Sequence, residues 1–199
     1  MNSTQHTSRD TLRPGADIMR LLKPLLIFVA VLWLIEIIDR LLFGGSLNGY
    51  GIIPRQLAGL AGVFFAPLLH GSFAHLLANT IPFLILGFLV MLRHENQFLG
   101  ISIIIALVSG LGTWLIAPSN TVHIGASALV LGYFAYLVVN GLFERSIASL
   151  AVAMLVIIFY GRLLLSVLPA GNGISWEGHL FGLVGGTVAA YYYRPRYLF

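Results

Sequence analysis

Charge is scarce in this sequence. Only 9% of its 199 residues are Asp, Glu, Lys or Arg, whereas a typical soluble domain carries about 25%. Hydrophobic residues make up 58%, and the mean hydropathy is +0.93. So few charged groups cannot cover a water-facing surface, which argues against a soluble enzyme, a coiled coil and a disordered chain. The composition instead predicts a protein that crosses a membrane several times.

Cysteine is absent. This excludes disulfides, thiolate metal sites and a cysteine nucleophile. Glycine, in contrast, is plentiful at 22 residues, which suits closely packed membrane helices.

Six apolar segments are about as long as a bilayer-spanning helix, which needs about 20 residues. We predict spans at residues 24–43, 73–92, 98–117, 124–143, 147–168 and 177–193. Residues 1–23 form a polar, basic segment, and residues 24–199 form the membrane domain. Glu36 and Arg40, four residues apart, are expected to pair on one helix face. The predicted fold is an all-α membrane protein with a bundle of six transmembrane helices.

The basic residues predict the orientation of this bundle. Eight of the eleven Lys and Arg residues precede the first span, follow the sixth, or lie in the connections after the second and fourth spans. Because Lys and Arg mark the cytoplasmic side, we expect both termini in the cytoplasm and the protein in the cell (inner) membrane. The net charge of +4 is therefore a topology signal, and no nucleic-acid partner is expected.

Polar side chains stand where three of the predicted spans begin. His75 and Asn79 open the second span, Ser127 the fourth and His179 the sixth. With the amino terminus inside, all three spans run from outside to inside, so these side chains fall at a similar depth in the outer leaflet. Such groups are costly within a bilayer and mark functional sites.

These residue types together indicate acyl transfer. A serine hydroxyl is a weak nucleophile that needs a base within hydrogen-bond reach, and a neutral imidazole can take its proton. The negative oxygen of the intermediate needs donors, which side chains and the free N–H groups at a helix start can supply. The predicted roles are Ser127 as nucleophile, His179 as general base, and His75 and Asn79 as oxyanion-hole donors.

Small residues recur every three or four positions beside the predicted nucleophile and base. The sixth span carries Gly178, Gly182 and Gly186, and the fourth carries Ala128, Gly132 and Ala135. Two such rows allow helix backbones to approach closely. We therefore expect Ser127 and His179 to come within touching distance.

The pattern resembles the rhomboid family of intramembrane serine proteases, over about residues 51–193. The resemblance rests on HxxxN at residues 75–79, GxSx at 125–128 and GHxxGxxxG at 178–186. It implies a Ser–His dyad without a carboxylate, a bracing role for His70, and no cofactor. It also implies support of the site by Gly125, Ala128, Gly182 and Gly186. The implied substrates are membrane-anchored, mostly single-span proteins, cut near the outer end of their transmembrane helix.

Two positions depart from the family pattern. Ala128 stands where the family has glycine after the serine, and its methyl group either holds spans four and six apart or is accommodated. Leu131 stands where the family often has an aromatic residue that stacks on the base, so apolar packing is expected to orient His179 instead. The oligomeric state and the role of Arg55 are not predicted.

Two other function classes remain open at this point. One is a rhomboid-like protein without proteolytic activity that binds membrane clients. The other is a metal site or transporter built from His70, His75, His123 and His179, although the sequence has no HExxH motif and a metal is not expected.

Overall fold

The computed structural model of the protein describes residues 14–169 and 175–194. Regular secondary structure in these residues is helical, apart from one isolated antiparallel bridge. The α-helices are α1 (Pro14–Ile38), α2 (Gly62–Phe65), α3 (Phe73–His94), α4 (Phe98–Ile116), α5 (Ser127–Glu144), α6 (Ile147–Tyr160) and α7 (Trp176–Tyr192). A π-helical turn, Asp39–Phe43, follows α1, and short 3-10 turns include Gly161–Val167 after α6.

Four helical stretches within the described residues are long and apolar enough to cross a membrane. They are Ile18–Phe43, Phe73–Ile116, Ser127–Glu144 and Ile147–Val167. The second contains 44 residues and comprises both α3 and α4. Helix α7 has 17 residues. The described part of the chain is therefore that of a helical membrane protein.

The helices overlap all six predicted segments, but four bounds differ by more than two residues. Helix α1 ends at Ile38 and α6 at Tyr160, and the remainder of each predicted segment forms a π-helical turn to Phe43 and a 3-10 turn to Val167.

The other two differences are helix starts. Helix α1 begins at Pro14 and continues through Pro24, whereas the predicted span begins at residue 24. Proline is tolerated within membrane helices because local adjustments satisfy the backbone group that it frees. Helix α5 begins at Ser127 rather than at residue 124, because Gly125 has a φ of +115°, which an α-helix does not allow.

Serine side chains determine where three helices begin. Ser72 accepts from the N–H of His75 at the start of α3, and Ser175 accepts from the N–H of Gly178 at the start of α7. Ser146 forms a reciprocal capping box with Ser149 at the start of α6. These bonds satisfy N–H groups that lack a partner in the first helical turn.

Helix α5 lies at the centre of the bundle. Its residues 129–137 are all buried, and it packs against α3, α4, α6 and α7. The Tyr133 ring lies between those of Phe83 and Phe98, with centroids 5.7 and 5.6 Å away. Its hydroxyl is 2.7 Å from Ser102 Oγ on α4, so this buried polar group is satisfied. The central position of α5 fixes the depth and direction of Ser127 at its first turn.

The connection between α1 and α3 is tied to the residues that precede α5. Ile52 and His123 exchange two backbone hydrogen bonds of 3.0 Å, and the Gly125 N–H donates to the Ala66 carbonyl at 2.8 Å. Arg55 donates to the Leu115 carbonyl near the end of α4, which accounts for a basic residue that the sequence left without a role. The backbone leading to Ser127 is thus held from outside α5.

Candidate active site

Ser127 and His179 come together in the structure. The Ser127 Oγ lies 2.8 Å from the His179 Nε2, which is a normal hydrogen-bond distance. Ser127 is the first residue of α5, and His179 is in the first turn of α7. His179 is buried, with 8% of its surface exposed. The arrangement allows the imidazole to accept the hydroxyl proton.

The other nitrogen of the same ring faces a backbone carbonyl. The His179 Nδ1 is 3.1 Å from the Ser166 carbonyl oxygen, in the 3-10 turn that follows α6. Since a carbonyl only accepts, Nδ1 carries the proton and Nε2 is the acceptor that faces Ser127. His179 is therefore oriented by a hydrogen bond, whereas apolar packing in place of aromatic stacking was expected from the sequence. Leu131, the residue on which that expectation rested, is buried beside a cavity that Ser127 and His179 also line.

Close packing of α5 against α7 allows the pair to come this close. A Cβ atom added at Gly182 would lie 2.5 Å from the Ala128 carbonyl oxygen, and one added at Gly186 would lie 2.0 Å from that of Gly132. Any larger residue at either glycine would force the helices apart. The structure thus brings the two small-residue rows into contact, and the methyl group of Ala128 is accommodated without lengthening the Ser127–His179 bond.

His75 and Asn79 lie against Gly125, two residues before Ser127. A Cβ atom added at Gly125 would lie 2.9 Å from His75 Nε2 and 3.7 Å from Asn79 Nδ2. Together with its positive φ, this contact restricts the position to glycine. Asn79 Nδ2 is buried and has no hydrogen-bond partner among the described residues. Both side chains therefore place nitrogen atoms beside Gly125, close to the start of α5.

His70 contacts the backbone immediately before Ser127. Its Nε2 accepts from the Ala126 N–H at 3.3 Å, in place of the side-chain cap that α5 lacks. Its ring lies edge-on to that of His75, with centroids 5.1 Å apart. Burial, with a smaller contribution from His75, lowers the pKa of His70 to about 4. His70 is thus neutral near pH 7, as an acceptor must be.

A cavity of about 1060 Å³ opens beside these side chains. It is lined by His75, Asn79, Ser127 and His179, together with apolar residues such as Leu131. A smaller pocket of about 30 Å³ is lined by Ser127 and His179 together with Ser109 and Thr113 of α4. The volume of the larger cavity is at the upper end of the roughly 300–1,000 Å³ typical of ligand pockets, and Ser127 lies in its wall.

One partner of the base was not found from the sequence. The Ser166 carbonyl could not be found, because every residue offers a backbone carbonyl.

The predicted pair of Glu36 and Arg40 is confirmed, with Arg40 Nε 2.8 Å from Glu36 Oε1. Arg40 also donates to the Gly71 carbonyl, so this pair holds the loop that carries His70.

A metal site receives no support from the geometry. Within residues 14–169 and 175–194, no three His, Asp or Glu side chains come close enough together to hold a metal ion. His123, one of the four histidines considered for such a site, instead has hydroxyl partners at both ring nitrogens.

Comparisons with known proteins agree with the sequence pattern. The Rhomboid domain family matches residues 57–196. An uncharacterized protein of Mycobacterium tuberculosis (strain H37Rv) is 47% identical over 175 residues, which are 84% of this chain and 72% of the relative. An uncharacterized protein of Mycobacterium leprae is 41% identical over 84% of this chain and 69% of its own length. YdcA of Bacillus subtilis (strain 168), provisionally named a rhomboid protease, is 29% identical over 62% of each chain.

The match to the family covers most of the chain. The protein belongs to the rhomboid family.

Proposed function

We propose that this protein is an intramembrane serine endopeptidase. Its substrates are membrane-anchored proteins, mostly with a single span, which it cuts near the outer end of their transmembrane helix. The observation that carries the proposal is the 2.8 Å contact between Ser127 Oγ and His179 Nε2. Membership of the rhomboid family, whose members are generally intramembrane serine proteases, supports it.

The proposed reaction begins with proton transfer from Ser127 Oγ to His179 Nε2. The Oγ attacks the scissile carbonyl carbon, and the resulting oxyanion accepts hydrogen bonds from His75, Asn79 and the N–H groups at the start of α5. His179 then gives its proton to the leaving amine, and the peptide bond breaks. His179 then deprotonates a water molecule, which attacks the acyl carbon. The bond between that carbon and Ser127 Oγ breaks, His179 returns the proton to Oγ, and the second product leaves.

Both hydrogen bonds of His179 suit this cycle. The Ser166 carbonyl accepts from Nδ1–H in the neutral ring and still accepts when the ring becomes an imidazolium. It stabilises the positive charge as an aspartate does in a Ser–His–Asp triad, although more weakly because the carbonyl is a dipole and not an ion. A carboxylate partner is therefore not needed to fix the tautomer.

The membrane arrangement that we propose has six spans: α1, α3, α4, α5, α6 with its following 3-10 turn, and α7. Helix α7 is about 26 Å long at 1.5 Å per residue, close to the hydrocarbon thickness of about 30 Å. Both termini lie in the cytoplasm. Residues 1–23 form the cytoplasmic segment, so the first turns of α1 precede the bilayer, and residues 24–199 form the membrane domain. The site then opens to the extracytoplasmic side of the cell (inner) membrane. A reporter that is active only on the outer face, fused to either terminus, tests this arrangement. Activity of that reporter would overturn it.

Purified enzyme in liposomes, incubated with a panel of single-span substrates, tests the activity. The panel varies small and helix-breaking residues near the outer end of the span, since an unwound segment exposes carbonyls that a helix hides. Mass spectrometry of the products should find new termini in that region for wild type and none for Ser127→Ala. A fluorophosphonate probe should label wild type at Ser127. Substrate binding without any cleavage or labelling would instead indicate a client-binding protein and overturn the proposal.

A further inference from the structure

We propose that His123 is a positioning residue for the dyad. Its side chain joins the loop before α5 to the start of α7 and thereby sets the distance between Ser127 and His179. The inference rests on the proposed protease function and adds a residue to which that mechanism assigns no role.

The bridge consists of two short hydrogen bonds. His123 Nδ1 lies 2.6 Å from Ser175 Oγ, and His123 Nε2 lies 2.7 Å from Thr121 Oγ1. The His123 side chain is buried, with 8% of the residue exposed. A buried polar ring with a partner at each nitrogen has one preferred orientation.

The neighbouring hydrogen bonds determine which atom donates and which accepts in each of the two His123 bonds. Thr121 Oγ1 donates its proton to the Pro118 carbonyl at 2.6 Å, so it accepts from His123 Nε2–H. His123 Nδ1 is then an acceptor, and it receives the hydroxyl proton of Ser175. Ser175 Oγ can still accept from the Gly178 N–H at 3.2 Å. The chain of bonds therefore runs without conflict from the loop before α5 into the first turn of α7.

This series of hydrogen bonds requires a neutral His123. Burial lowers the pKa of His123 below its ordinary value, and this effect exceeds the opposite effect of the Glu177 carboxylate. The ring is accordingly neutral at pH 7, which leaves Nδ1 free to accept.

The bridge is placed symmetrically with respect to the reacting groups. His123 precedes Ser127 by four residues, and Ser175 precedes His179 by four residues. Ser127 and His179 belong to different helices, so their separation depends on how the two helix starts are held together. The bridge acts there, while the small-residue rows hold the helices further along their length.

The His123 backbone is held independently of its side chain. It exchanges two backbone hydrogen bonds with Ile52, and these do not depend on the residue type. Substitution of the side chain should therefore remove the bridge and leave the loop in its course.

The test compares kcat and KM for His123→Phe and His123→Gln in liposomes. Phenylalanine fills the space without hydrogen bonds, whereas glutamine keeps one acceptor and one donor. A displacement of reacting groups by about 1 Å can cost about 100-fold in rate, so His123→Phe should lower kcat by about 10- to 100-fold with KM within about two-fold. The kcat of His123→Gln should be much closer to that of wild type. A role in stability alone would lower the melting temperature without this change in kcat per folded enzyme.

Two further variants sharpen the comparison. Ser175→Ala removes the other end of the bridge, so its effect and that of His123→Phe on kcat should be strongly non-additive in the double variant. The matched control is His94→Phe, a partly buried histidine bonded to Asn140. It lies about 28 Å along α3 from His75 at 1.5 Å per residue. The control should change stability and leave kcat unaltered.

Wild-type kcat in His123→Phe, or additive losses in the double variant, would overturn the positioning role while wild-type cleavage continued. Failure of the proposed protease function would give a different result from failure of the positioning role. In that case wild type itself would neither cut substrate nor react with a fluorophosphonate. The same readouts decide the case if His123→Phe does not fold, since His123→Gln and Ser175→Ala still report on the bridge.

Discussion

The imidazole of His179 donates its Nδ1–H to the backbone carbonyl oxygen of Ser166 across 3.1 Å. This bond leaves Nε2 as the acceptor that faces Ser127, 2.8 Å away. The carbonyl belongs to the 3-10 turn Gly161–Val167, so the geometry of the base depends on the position of a segment outside both helices of the dyad. A movement of that turn would change the orientation of the base.

Removal of either dyad member should abolish cleavage. We expect Ser127→Ala and His179→Ala each to reduce kcat to background, and the double variant to be no worse, because the two groups act as one unit. Substrate cleavage, followed by mass spectrometry at equal amounts of folded protein, measures this. Cleavage by Ser127→Ala at the wild-type rate would rule out the mechanism.

Replacement of the Ser166 side chain should have little effect. The hydroxyl of Ser166 donates to the Leu163 carbonyl, and only the backbone oxygen contacts His179. We therefore expect Ser166→Ala to keep kcat within about three-fold, since a local side chain-to-backbone bond is weak. A loss of 100-fold or more would mean that the hydroxyl, and not the carbonyl, serves the base.

The oxyanion donors should contribute separately. Loss of one donor typically costs about 100- to 1,000-fold in kcat. We expect Asn79→Ala to fall in or below this range, because His75 and the backbone N–H groups remain, and His75→Ala to behave alike. Kinetics of the two single variants and the double variant measure the contributions. Wild-type activity in the double variant would show that these residues do not form the hole.

His70 should make stability depend on pH. Its pKa falls from the ordinary 6.5 to about 4 in the folded protein, so between these values the unfolded chain binds more protons. Stability then decreases as pH falls from about 6.5 to about 4, by at most about 3 kcal/mol. His70→Gln retains an acceptor for the Ala126 N–H and does not titrate. Thermal unfolding in detergent should show a shallower pH dependence for this variant, and equal slopes would contradict the prediction.

Much of the helical architecture could be predicted from the sequence, because bilayer thickness sets the length of an apolar helix. The segments that correspond to α3, α4 and α7 begin and end within about two residues of their observed bounds. The start of α1 differs because the polar, basic residues before position 24 were set apart from the span, whereas the helix already begins at Pro14. The start of α5 was wrong because the backbone conformation of Gly125 cannot be read from its neighbours.

The sequence likewise reveals some residues of the site and not others. Side chains with distinctive chemistry, such as His75, Asn79 and His179, can be found by their residue type and spacing. Partners that act through the backbone, such as Ser166, carry no such signal. His123 could be noticed as a histidine, yet its hydroxyl partners lie on two separate segments that only the folded chain brings together.

Ala128 provides a test of how the helix contact is built. The short Ser127–His179 bond and the close approach of Gly182 to the Ala128 carbonyl indicate that the bundle has adapted to the methyl group. Ala128→Gly should therefore leave kcat within about three-fold of wild type. It should also lower the melting temperature, since glycine within a helix costs up to about 1 kcal/mol relative to alanine. Parallel measurements of kcat and thermal unfolding decide the matter. A gain in kcat of ten-fold or more would mean that the methyl group holds α5 and α7 apart during the reaction, although it does not do so in the resting structure.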